Sequence, residues 1–175
     1  MAHAEQGERA TPAALNETGF LRKFIRHITG TLEDVVGLHE SNGFVATVAQ
    51  RMGEQINETY RQSMGLERLN PQHVTEVFID LQKQINGNFS VTHEDEEKIV
   101  ITGCACPFGK DVVDRPSLCT MTSNMLAVIA AENLGYAKVS VEKSLARGDS
   151  CCRIVMYLKN SAEAARAEGR EFFQS

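Results

Sequence analysis

Apolar side chains first recur along this chain at Leu21, Ile25, Ile28, Leu32 and Val35, in alternating four- and three-residue steps. That spacing predicts a helix from roughly Thr18 to Val36 carrying a two-heptad seam. Gly37 is its expected stop. A second stripe, Val45, Val48, Ala49, Met52, Ile56, Tyr60 and Met64, predicts a helix capped by Ser41 or Asn42 and ended by Gly65. Gly53 within it suggests close packing of another element. Asn70 as N-cap, Pro71 at the first helical position and Gly87 after the end frame a third helix. Its buried face is Val74, Val77, Phe78, Leu81 and Ile85.

The period then shortens to two. Asn88–His93 and Lys98–Cys104 read as strands joined by the acidic turn Glu94–Glu97. A loop with Pro107 and Gly109 leads to a fourth helix, Pro116 to Leu134, stopped by Gly135. Tyr136 to Leu145 and Cys151 to Lys159 read as paired strands, and residues 160–175 as a terminal helix. This order predicts an α+β fold, N-terminal helices packed on an antiparallel sheet with one inserted helix. The expected organisation is a tail over 1–17, a single domain over 18–159, with 18–36 as a possible dimerisation helix, and a tail helix over 160–175.

The 175 residues suffice for one domain with a real core. A net charge of −5 and the lack of a basic block give no footprint for direct nucleic-acid binding. No apolar run approaches a membrane span, and no secretory signal opens the chain. A cytosolic location is therefore expected, where disulfides rarely persist.

The five cysteines carry the candidate chemistry. Cys104 and Cys106 are two apart, so an extended chain points both to one face. Cys119 lies in the first turn of a helix, where free N–H groups favour a thiolate. Cys151 and Cys152 face opposite sides of one strand, Cys152 sharing parity with Ile154, Met156 and Leu158. Buried thiols, redox thiols and a tetrahedral four-thiolate site for zinc or an iron–sulfur cluster all fit these positions. The five histidines are scattered, and the HEDEEK stretch reads as a solvated hairpin turn. Nucleotide-binding, P-loop and hydrolase motifs are absent from the sequence, which disfavours an enzyme.

The segment SLCTMTSNMLAVIAAENLG followed by AKVSVEKSLARGDSCCRIVMYL resembles the 4-vinyl reductase domain family. The fuller CACPFGKDVVDRPSLC resembles its methanogen output domain branch, related also to the haem–nitric-oxide-binding fold. The resemblance implies a small-molecule sensor or output module that acts with a sensor kinase or transcription regulator, and the heptad seam Leu21 to Val35 would make it a homodimer. It implies a metal site of Cys104, Cys106, Cys119 and Cys152, zinc slightly favoured over iron–sulfur, with Cys151 spare. Relatives carry a further cysteine where this chain has Ser144. By the same analogy a small-molecule pocket would be lined by Phe78, Leu81, Met121, Met125 and Tyr157. The alternatives are a metal-free thiol redox switch using Cys104, Cys106 or Cys119, and a tetrapyrrole-related reductase.

Overall fold

The two helices that the periodicity predicts on either side of Gly37 form one bent element, α1 (Glu17–Met64), in the computed structural model, which describes residues 16–175. Asn16 caps it, accepting from the Gly19 N–H through its side chain. Gly37 sits at φ 83° and ψ 161°, a conformation that costs glycine little and other residues much. That single residue absorbs the break. The helix resumes directly after it, so Ser41 and Asn42 lie inside α1 rather than capping a new helix. The expected tail over 1–17 falls, up to residue 15, outside the described residues.

Then follow α2 (Pro71–Gln84), β1 (Asn88–Glu94), β2 (Lys98–Ala105) and α3 (Pro116–Leu134). The chain closes with β3 (Tyr136–Lys143), β4 (Cys152–Tyr157), α4 (Ala162–Arg166) and β5 (Arg170–Phe173). Short 3₁₀ turns occupy Gly109–Val112 and Leu145–Arg147. The Asn70 side chain accepts from the His73 N–H at the start of α2, as its position predicts. The acidic hairpin turn is held by Asp95, whose carboxylate accepts from the Glu97 and Lys98 N–H groups.

The strands form one antiparallel sheet in the order β1-β2-β4-β3-β5. Helices α1, α2 and α3 pack on one face, over Ile99, Ile101, Val139, Ile154 and Met156. The fold is α+β, as expected. The last element departs from the expected terminal helix. Only α4 is helical, and Arg170–Phe173 pairs with β3 as a fifth strand. Phe172 drops into the core and Phe173 meets Tyr136 edge-on, contacts a solvated helix would forgo.

The second arm of α1 is held against α3 by two features. A Cβ at Gly53 would stand 2.8 Å from the Val128 Cβ and 3.0 Å from the Met125 carbonyl oxygen. Below it, the buried Asn133 amide donates to Asn57 and accepts from the Leu69 N–H, joining α1, α3 and the segment before α2. The Gly53→Ala variant should lose about 1–3 kcal/mol of stability through overpacking. At exposed Gly43, where nothing lies within 4 Å, Gly43→Ala should gain up to about 1 kcal/mol from helix propensity. Chemical denaturation of both variants measures the contrast.

Candidate functional site

The first arm of α1 is tied to the far end of the domain through polar contacts. Arg26 donates from Nη1 to the Asp111 and Val113 carbonyls. Glu33 accepts from Ser117 and pairs with Arg115 at 3.4 Å. Between the two anchored arms lies a cavity of about 570 Å³. Its walls are Leu21, Ile25, Ile28 and Leu32 from the first arm, and Phe44, Val45, Val48, Met52 and Ile56 from the second. Leu81 of α2, Ile85 directly after it, and Met121 and Met125 of α3 form its floor, and Pro107 and Phe108 close one end.

The predicted heptad seam thus turns towards its own domain, except Val35, which is 75% exposed. Three of the five pocket residues named from the resemblance, Leu81, Met121 and Met125, line this cavity. Phe78 is fully buried in the main core. Tyr157 lies on the opposite sheet face with Val100, Val155 and Ala164. Sequence reasoning missed the α1 walls, because a helix stripe does not say whether its neighbour is protein or a void.

The cysteines gather at the end of the sheet beside the Pro107–Phe108 loop. Gly103 pairs with Cys152 across β2 and β4, which sets Cys104 beside Cys151. Those two are joined in a disulfide with a Cα–Cα distance of 4.1 Å. Cys152 points the other way, into the helix-covered face, as strand parity predicts. Cys104 and Cys106 do not share a face. Strand β2 ends at Ala105, and the chain turns at Pro107 with the Gly109 N–H donating to the Cys106 carbonyl at 2.8 Å. Cys106 therefore packs with Cys119 around Phe108, Val112 and Leu118, away from the disulfide.

Cys106, Cys119 and Cys152 are free thiols. The Cys119 Sγ lies 3.0 Å from the Ser144 hydroxyl, and Cys152 accepts from the Leu145 N–H at 3.4 Å. The Cys152 thiol donates to Cys119 and, against the effect of burial, holds it down to about 6; the Ser144 hydroxyl and the Ala146 N–H add to this. Cys152 is correspondingly pushed up, by that same hydrogen bond and by burial. Burial pushes Cys106 up to about 11. The acidity expected at Cys119 thus comes from donors on β4, Ser144 and the Leu145–Arg147 turn. Such a thiolate is a competent nucleophile towards disulfides and electrophiles.

The four cysteines named as metal ligands are not assembled here. Cys104 is bonded to Cys151, the residue expected to be spare. Among the described residues no group of three or more His, Cys, Asp or Glu side chains is disposed to hold a metal ion. The disulfide-bonded form does not fit a four-thiolate centre.

Alkylation of Cys119 by iodoacetamide should follow a titration with its midpoint near pH 6, because the folded pKa is lowered to about 6. Cys152→Ala removes the main donor and should move that midpoint up by at least one pH unit. Mass spectrometry of the modified protein across pH 4–9 reads the result, with Cys106 remaining unmodified below pH 9.

No curated protein matches the chain. Among solved structures it is similar to a trafficking protein particle complex subunit 3 from Naegleria fowleri covalently bound to palmitic acid. The TM-score is 0.55 at 16% identity, over 81% of this chain and 96% of that one. It is also similar to the phenol-responsive sensory domain of the transcription activator PoxR with phenol. There the TM-score is 0.61 at 13% identity, over 87% and 80% of the two chains. At such identities the likeness establishes the fold alone. The family match is direct: the signature of methanogen output domain 1 covers residues 24–157, from the first arm of α1 to the end of β4, and this chain belongs to the methanogen output domain 1 family.

Proposed function

We propose that this domain is a small-molecule sensor whose ligand occupies the apolar cavity between the arms of α1. The cavity itself carries the reading. Its volume of about 570 Å³ falls within the range of roughly 300–1,000 Å³ typical of ligand sites, and so does its mainly apolar lining with a few polar groups. Leu21, Ile28, Phe44, Val48 and Met52 all line it while remaining 41–58% exposed. A ligand that covers them removes apolar surface from water at about 25 cal/mol per Å². Support comes also from the two similar structures, one described with phenol and the other with palmitic acid.

A ligand held between the two arms contacts both sides of the Gly37 bend. It stabilises whichever bend angle it fits best, by its difference in affinity for the two states. The outer side of the first arm would carry that angle to a partner such as a sensor kinase or a transcription regulator. A metal on Cys104, Cys106, Cys119 and Cys152 would first need the Cys104–Cys151 bond reduced, and this reading does not depend on it. No helix among the described residues is long and apolar enough to cross a membrane.

The apolar fluorophore N-phenyl-1-naphthylamine should bind saturably with one site per chain. Binding should fall at least tenfold in Val48→Asp, which places a charge on a 48% exposed wall position, and in Met125→Trp, which fills the floor. No saturable binding, or binding indifferent to both substitutions, overturns the cavity reading.

The first arm also exposes Phe20 and Phe24, with stacked rings 6.1 Å apart. An exposed apolar patch of this kind suits an interface, and the expected homodimer would place a second copy there. Light scattering should give twice the chain mass for the native protein and the chain mass for Phe24→Ser. A native mass equal to one chain removes the dimer.

A further inference from the structure

One charged side chain stands out on the cavity wall. Arg22 lines it from the first arm, half-buried, between the apolar positions Leu21 and Ile25. Its guanidinium reaches the Pro107–Gly109 end, where a Cβ on Gly109 would lie 3.5 Å from Nη1. Arginines nearby are partnered: Arg26 holds two backbone carbonyls, and Arg115 pairs with Glu33. Among the described residues Arg22 has neither kind of partner. Among the described residues no carboxylate oxygen lies within 4.0 Å of it, and it makes no side-chain hydrogen bond.

Among the described residues the positive charge at this end of the cavity thus has no carboxylate partner. A half-buried guanidinium with unused donors matches a carboxylate, which it binds with two parallel hydrogen bonds. Thr18, four residues earlier and so on the same helix face, also lines the cavity and adds a hydroxyl beside it. Apart from Thr29, Asn86 and Thr122, the rest of the wall is aliphatic, aromatic or thioether.

We propose that the cavity's ligand is an amphiphilic monocarboxylate, its carboxylate paired with Arg22 and its apolar body lying between the arms of α1. This rests on the cavity being the ligand site and adds the class of ligand. Isothermal titration of the full chain with decanoate, decan-1-ol and decyltrimethylammonium separates the two ideas. The native protein should bind decanoate at least tenfold more tightly than decanol, and the cation most weakly. Arg22→Gln should bring decanoate down to the decanol affinity while leaving decanol binding unchanged, which also shows that the variant is folded. Equal native affinity for decanoate and decanol, or an Arg22→Gln loss shared by both, overturns the carboxylate assignment and leaves the cavity reading standing. Binding of none of the three overturns both.

Discussion

Everything that makes this domain a container depends on the close approach of α1 to α3 at Gly53. The absent side chain lets the second arm sit directly on Val128 and the Met125 carbonyl. The buried Asn57–Asn133–Leu69 hydrogen bonds lock that approach in register, since an amide left unpaired there would cost about 1–3 kcal/mol. With the second arm fixed, the bend at Gly37 sets where the first arm goes. Arg26 and Glu33 then fasten it to the Asp111–Ser117 region instead of to the second arm. Polar anchors at one end and a glycine contact at the other leave the middle unfilled. The cavity is what remains between two helices that are each held to α3 and its approach loop.

The cysteine corner follows from sheet geometry. Pairing of Gly103 with Cys152 places Cys104 beside Cys151 on the exposed face and Cys152 on the covered one. One strand thus supplies a disulfide to one side and a thiol to the other. On the covered side a hydroxyl and a neighbouring thiol aim at Cys119, while Cys106 is met by the Phe108 N–H, which burial outweighs. Three thiols in one small volume therefore have three different acidities. The Ser144 hydroxyl is one of the donors that make the difference.

Two neighbourhoods meet at the Pro107–Phe108 loop. It closes the cavity at one end and packs on the thiols through Phe108. Arg22 reaches the same loop from α1 and acts on Cys106 through its charge. A change at either place has a short physical route to the other through that loop.

Local signals were sufficient for α2, α3 and strands β1 to β4, and for the apolar stripes of α1. The cap at Asn70, the glycines at 37 and 135, and the shift from a 3.6 to a 2.0 period act over a few residues and are legible in one dimension. Strand parity likewise separated Cys151 from Cys152, because alternation is intrinsic to the extended chain. What the sequence could not determine were relations between distant segments. β5 exists because β3 offers it an edge, and Cys104 meets Cys151 because β2 and β4 pair in one register. The Leu21–Val35 stripe announces an apolar face but not what it faces. Only the anchoring of both arms by residues some eighty positions away turns that face onto a cavity, since a void is defined by its walls together and by none of them alone.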